Sequence, residues 1–103
     1  MKRPLFTLRE ARAMLPALFR LTVQAMDELE AALNSEDPAE AATAARKVER
    51  WVSAIDMLGG VAHGLWEVDF DNGQGFYSWS FPETDVDHFR TYDAGFDRRT
   101  PIQ

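Results

Sequence analysis

Residues 7–33 read TLREARAMLPALFRLTVQAMDELEAAL, and this stretch predicts one long helix along which the rest of the chain is arranged. Its apolar side chains recur at alternating steps of mostly three and four residues, which places a narrow apolar stripe along one side of a helix. The members of the stripe are Leu8, Ala11, Leu15, Leu18, Thr22, Ala25, Leu29 and Leu33. At about 1.5 Å per residue the helix would be roughly 40 Å long. Such a stripe needs a partner element to cover it.

Local signals mark the start of this helix and an irregularity inside it. Thr7 and Glu10 have the spacing of a capping box, in which each side chain accepts a hydrogen bond from the other residue's amide. Pro16 falls in the third turn, where a proline removes one backbone hydrogen bond at a cost of about 3 kcal/mol. Because the apolar stripe stays in phase across Pro16, we expect one bent helix rather than a break.

A second helix follows a short polar linker. Asp37 and Pro38 supply an N-terminal cap and a first-turn proline, and Gly59-Gly60 ends the helix. The apolar residues with helical spacing between these ends are Ala41, Ala44, Val48, Trp51, Ile55 and Leu58. Since a short linker favours antiparallel neighbours, we predict a long antiparallel helical hairpin over residues 7–58.

From Gly64 onward the hydrophobic period changes to two, which is typical of β-strands. The pair Asn72-Gly73 predicts a two-residue type I′ hairpin turn, which would place Val68 opposite Tyr77. The apolar face of this hairpin carries Trp66, Val68, Phe70, Tyr77, Trp79 and Phe81, and the polar face carries Glu67, Asp69, Ser78 and Ser80.

The remaining chain completes the predicted fold. A third strand over residues 86–92 would end a sheet region that spans residues 64–92, and an irregular tail would follow over residues 93–103. The fold class expected for residues 1–103 is therefore one α+β domain, a long antiparallel helical hairpin followed by a two- or three-stranded antiparallel sheet.

Composition excludes several functions. The net charge of −6, from 11 basic and 17 acidic residues, argues against nucleic acid as a partner, because phosphate binding needs clustered Lys and Arg. No apolar run approaches the roughly 20 residues of a membrane span, so no membrane partner is expected. The absence of cysteine removes disulfides and thiolate chemistry. No signal peptide is readable at Met1-Lys2-Arg3-Pro4, and the expected location is the cytoplasm.

Three motifs carry a family resemblance. Residues 6–16 read FTLREARAMLP, residues 93–102 read DAGFDRRTPI, and Val68-Asp69-Phe70 lies between them. Together they resemble DUF2203, a family of small bacterial proteins known only as a domain of unknown function. Within that pattern Ser78 stands where the family tends to have cysteine, and Phe89-Arg90-Thr91 stands where it shows Trp-His-Glu. If relatives use those groups for metal binding or catalysis, this chain has lost them, which disfavours an enzyme.

The C-terminal arginines are the candidate ligand-binding residues. Arg98 and Arg99 stand in an acidic half of the chain, where two guanidinium groups could clamp a carboxylate or phosphate. Asp93 and His88 complete this candidate set. The alternative is intramolecular, with either arginine pairing with Asp93 or Asp97 and holding the tail on the body.

A metal site is a weaker alternative. His63 and His88 are too few to hold a metal without carboxylates, although His88, Glu67 and Asp69 could share one face of the sheet. The acidic stretch that begins at Asp69 lacks calcium-loop ligands, since its fifth position is Gly73. We therefore assign no metal ligand and no catalytic residue, and we expect no cofactor.

Apolar residues outside the main helical stripe suggest a partner surface. Met14, Phe19, Val23 and Met26 would lie beside the stripe, and a homodimer formed through the helices would cover them. The leading hypothesis is thus a non-enzymatic, self-associating interaction module, with a further protein partner as an open option. The alternative is a small-molecule or divalent-metal binding protein that uses the sheet and the tail, with an enzyme as one form of it.

Overall fold

The computed structural model describes residues 3–103, which form an α+β fold of four helices followed by a five-stranded antiparallel sheet. The elements are α1 (Leu8–Ala13), α2 (Leu15–Leu33), α3 (Pro38–Ala41), α4 (Ala44–Met57), β1 (Val61–Gly64), β2 (Glu67–Asp71), β3 (Gly75–Ser80), β4 (His88–Thr91), the 3₁₀ helix η1 (Phe96–Arg98) and β5 (Thr100–Pro101). Met1 and Lys2, two of the residues at which the sequence predicts no signal peptide, lie outside the described residues.

The first predicted helix is divided in two. Its capping box is confirmed, because Glu10 N donates to Thr7 Oγ1 at 3.1 Å and Thr7 N donates to Glu10 Oε1 at 2.9 Å. The prediction of one bent helix is wrong, since Met14 separates α1 from α2. Pro16 becomes the second residue of α2, where a backbone N–H has no partner inside a helix and its absence costs little.

The second predicted helix is also divided, so the long helical hairpin over residues 7–58 is wrong. Asp37 caps α3 as expected, accepting from Ala39 N at 2.9 Å. The helix ends within one turn, where the Thr43 hydroxyl donates to the Glu40 carbonyl at 2.7 Å and competes with the helical backbone. Of these two pieces only α4 is long, and it ends as predicted at Gly59, whose φ is +88°.

The prediction of two or three strands is wrong as well, because the sheet has five strands in the order β1-β2-β3-β4-β5. The additional strands come from segments without a readable period of two. β1 contains a register shift between Ala62 and Gly64, and β5 has only two residues within the tail that was expected to be irregular. Antiparallel pairing with β4 orders that tail, with Thr100 opposite Phe89.

The register of the central hairpin differs from the prediction, but its two faces do not. Val68 lies opposite Trp79 rather than Tyr77, because the turn is centred on Gly73-Gln74 and not on Asn72-Gly73. Asn72 N donates to the Gly75 carbonyl at 2.9 Å, and in this turn the positive φ belongs to Gly73 alone. A shift of two residues leaves each side chain on its face, so the predicted apolar face is confirmed.

The core lies between the helices and this apolar face. α2 and α4 contact each other through the buried Trp51 Nε1, which donates to Thr22 Oγ1 at 3.1 Å. The Phe19 ring meets Trp79 edge to face at 5.7 Å. The buried hydrophobic residues of this core cluster are Phe6, Ala11, Leu18, Ala25, Trp51, Ile55, Val68, Phe70, Trp79 and Val86. Between residues 3 and 103, no helix is both long enough and apolar enough to cross a lipid bilayer.

Candidate functional site

The outer face of the sheet, which points away from the helices, holds three buried polar residues. Asp69 on β2 lies opposite Ser78 on β3, and Ser78 lies opposite His88 on β4. Arg90 follows two residues after His88, so it shares the same face. The side chains of Asp69 and Arg90 are 1% and 7% exposed, and Ser78 is fully buried. We call Asp69, Ser78 and Arg90 the buried polar cluster.

Hydrogen bonds satisfy this cluster only in part. Arg90 Nη2 donates to Asp69 Oδ2, and Arg90 Nη1 donates to the Ala94 carbonyl oxygen. The guanidinium also lies 4.7 Å from the centre of the Phe76 ring. Asp69 Oδ1, Ser78 Oγ and Arg90 Nε have no hydrogen-bond partner in the described part of the chain. A buried polar atom that lacks any partner costs about 1–3 kcal/mol, so each of these three atoms would gain from an additional hydrogen bond.

The tail, residues 93–103, packs against this face. Ala94 supplies the carbonyl that Arg90 binds, and the Phe96 ring stacks on His63 with 5.2 Å between the ring centres and a 17° angle between their planes. His63 Nδ1 is in turn 4.0 Å from Asp69 Oδ2. The first half of the tail therefore lies beside the buried polar cluster and helps to exclude water from it.

An arginine–carboxylate pair holds the tail in place. Arg99 donates from Nη1 to Glu83 Oε1 and from Nη2 to Glu83 Oε2, each at 2.9 Å, and its guanidinium lies 4.5 Å from the centre of the Phe96 ring. Burial raises the pKa of Glu83, but the hydrogen bonds from Arg99 and from Ser80 N, together with the Arg99 charge, outweigh it and lower the pKa overall. Glu83 is therefore ionised and paired at neutral pH.

His88 lies beside the same carboxylate. Its Nδ1 is 2.7 Å from Asp87 Oδ1 and 3.7 Å from Glu83 Oε2. One ligand atom from each of Glu83, Asp87 and His88 lies within 4.8 Å of the other two, a spacing that a divalent cation accepts. However, Arg99 already occupies both Glu83 oxygens with a positive charge. This geometry favours an ion pair over a metal at this place.

The structure does not bring the four predicted ligand-binding residues together. Arg99 and His88 both approach Glu83, whereas Arg98 is exposed and makes no ion pair in the described chain. Asp93 is exposed and accepts from the Thr91 hydroxyl at 2.7 Å, a bond that lowers the pKa of Asp93. The two adjacent arginines thus do not converge on one anion, and the tail is held by Glu83 rather than by Asp93 or Asp97.

The four residues predicted at an oligomer interface lie along α2 and at its start, with different exposures. Met14 and Phe19 are half-buried against the core, the latter in contact with Trp79. Met26 is half-buried, and Val23 is 42% exposed. Val23 is therefore the member of this set with the most surface left for a partner.

Sequence reasoning missed the buried polar cluster as a site. Polar residues at a period of two indicate a solvated strand face, and Asp69 and Ser78 were placed on such a face. One signal was available, because Ser78 and Arg90 are two of the positions where the resemblance to DUF2203 implies a different residue. The structure shows that these two positions are near neighbours on adjacent strands.

Comparison with known proteins gives one match. The model of a family described as uncharacterized conserved protein (DUF2203) matches residues 20–102, which is most of the chain. No curated protein and no solved structure matches it. The chain belongs to the DUF2203 family.

Proposed function

We propose that this protein binds a small, uncharged, planar molecule at the buried polar cluster, beneath the tail. One observation carries the proposal: Asp69, Ser78 and Arg90 are almost fully buried, and each has a polar atom without a partner. A chain of 103 residues has a modest core, and three such atoms form a substantial local cost. Each buried polar group that a fold leaves unpaired requires an explanation, and a ligand that completes the hydrogen bonds would supply one for all three atoms.

The unpaired atoms define what the ligand must offer. Asp69 Oδ1 accepts hydrogen bonds, Arg90 Nε donates one, and Ser78 Oγ does either. A ligand with a donor beside an acceptor, such as an amide or the edge of a nucleobase, matches this set. Because Asp69 and Arg90 already neutralise each other, a net charge on the ligand would go unpaired in a buried site.

The surroundings favour a flat molecule. Phe96 and His63 are stacked nearly parallel, and Phe76 lies under the Arg90 guanidinium. Lifting the tail would separate the Phe96 ring from His63, and a ring face freed in this way binds planar groups well. The ligand would reach the cluster when the first half of the tail lifts, and the Arg99–Glu83 pair would hold the tail closed again afterwards.

A thermal-shift assay with matched variants tests the proposal. The probes are nicotinamide, cytosine and uracil as neutral planar amides, with acetate and methylammonium as charged controls. Ser78→Ala removes the buried hydroxyl, and Ser80→Ala removes a half-buried hydroxyl from the same face of the same strand. We expect at least one neutral probe to raise the Tm of the wild type and of Ser80→Ala but not of Ser78→Ala.

Three results would contradict it. The first is that no neutral probe stabilises the wild type, and the second is that the charged probes stabilise it instead. The third is that Ser78→Ala responds to the neutral probes as strongly as the wild type does. The Tm without probe serves as the folding control, because removal of an unpaired buried hydroxyl should leave stability unchanged or slightly higher.

A further inference from the structure

The exposed side of α2 presents a stripe that is complementary to itself. Its exposed residues are spaced mostly by three and four positions, so they lie along one side of the helix. They are Pro16, Arg20, Val23, Gln24, Asp27, Glu30 and Ala31. This surface is separate from the buried polar cluster, which lies on the far face of the sheet.

Opposite charges flank the centre of this stripe at equal distances. Arg20 lies three residues before Val23, and Asp27 lies three residues after Gln24, so the two charges are about two helical turns apart. Neither residue forms an ion pair within residues 3–103. Val23, 42% exposed between them, supplies an apolar centre.

We propose that a second copy of this chain binds this stripe, with the two α2 helices antiparallel across a two-fold axis between Val23 and Gln24. In this arrangement Arg20 of each copy faces Asp27 of the other, and the Val23 side chains meet near the axis. The small residues Pro16 and Ala31 face each other at the two ends and allow the helices to approach closely.

The order of the charges selects a copy of the chain over an unrelated partner. An antiparallel pair brings Arg20 opposite Asp27 twice, whereas a parallel pair in register would bring like charges together. An unrelated partner would require no such symmetry about the centre of the helix. The arrangement also covers Val23, the most exposed of the residues that the sequence predicts at an interface.

Charge reversal tests this pairing. Sedimentation equilibrium would give the dimer Kd, with native mass spectrometry to count subunits. In Arg20→Asp or Asp27→Arg, two like-charge contacts replace two ion pairs, and we expect the Kd to rise about tenfold or more. The double variant Arg20→Asp/Asp27→Arg restores opposite charges and is expected to return the Kd to within about threefold of the wild type.

A mixing experiment provides the sharper test. When the two single variants are mixed, every contact across the axis again joins opposite charges, so we expect a heterodimer stronger than either variant's homodimer. Arg46→Asp, at an exposed position on α4, is the control for a change of net charge and should dimerise like the wild type. A monomeric wild type, or a double variant and a mixture that both fail to recover, would overturn the proposal. Neither outcome concerns ligand binding at Ser78.

Discussion

Replacement of Asp69 by asparagine is expected to lower the free energy of unfolding by about 3–5 kcal/mol. Asparagine keeps the size of the side chain but removes the charge that faces Arg90. The Arg90 side chain is only 7% exposed, and its Nε already has no partner. Without the carboxylate, the guanidinium becomes a buried cation whose remaining contacts are the Ala94 carbonyl and the Phe76 ring.

This loss is large for a chain of this size. Domains of about 100 residues unfold with free energies of about 5–15 kcal/mol, so Asp69→Asn would leave the protein marginally stable. Arg90→Met should cost a similar amount, because it leaves the buried Asp69 carboxylate without its partner. The double variant removes both charges, and we expect it to lose less than the two single losses combined by about 2 kcal/mol or more.

Urea unfolding at neutral pH measures these differences, with tryptophan fluorescence as the signal because Trp51 and Trp79 are buried in the core. Asp56→Asn, at an exposed position of α4, is the matched control and should change stability by no more than about 0.5 kcal/mol. If Asp69→Asn costs less than about 1 kcal/mol, and the losses of the two single variants add up to that of the double variant, the Asp69–Arg90 pair is hydrated in solution. The reasoning that makes this cluster a closed ligand site would then be refuted.

Three further predictions concern local features. Because folding lowers the pKa of Glu83, the stability that Glu83 adds is present above its ordinary pKa of 4.5 and is lost as the pH falls below that value. Urea titrations across this pH range should show that Glu83→Gln removes this part of the acid dependence. An unchanged acid dependence would contradict the role of Arg99. Gly73→Ala should cost about 1 kcal/mol in thermal unfolding, because the φ of Gly73 is +93° and an alanine is strained there. The atom nearest to the new Cβ, in Leu5, is 3.7 Å away and adds no clash. An unchanged Tm would argue against the positive φ at Gly73. Thr7→Ala should cost about 1 kcal/mol through the lost cap, and no loss in urea unfolding would argue that α1 frays in solution.

The features that the sequence predicted correctly are those that short stretches of chain determine. The Thr7 and Glu10 capping box involves residues three apart, and the glycine end of α4 depends on one residue, Gly59. The faces of the central hairpin were predicted for a related reason. Alternation along one strand is set by the backbone itself, so a register error of two residues at Asn72-Gly73 left the faces unchanged.

The features that it predicted wrongly depend on competition between local and distant contacts. Pro16 is compatible both with a bent helix and with the start of a new one, and the apolar stripe continues in either case. β1 and β5 are too short to show a period of two, and they are strands because β2 and β4 offer them hydrogen-bonding edges. The number of strands therefore followed from pairing, which the sequence pattern does not encode locally.

The buried polar cluster could not be predicted from the sequence for the same reason, because its burial depends on distant contacts. Whether Asp69 and Ser78 are solvated or buried depends on where the tail lies, and the tail is held by contacts between Arg99 and Glu83, 16 residues apart in the chain. Charge content alone made Arg98 and Arg99 look equivalent, although only one of them meets a carboxylate. Arg99, which is paired with Glu83, holds the tail over the outer face of the sheet, whereas the exposed Arg98 does not.

The residue types in the buried polar cluster restrict the chemistry that the cluster can perform. A guanidinium offers only donors and stays protonated, so Arg90 can neither ligate a metal nor act as a general base, and it occupies one oxygen of Asp69. Ser78 lies opposite His88, but its hydroxyl has no hydrogen-bond partner among the described residues, and a serine without a hydrogen-bonded base is a weak nucleophile. The function proposed above requires recognition by hydrogen bonds, and Ser78→Ala therefore tests ligand binding rather than turnover.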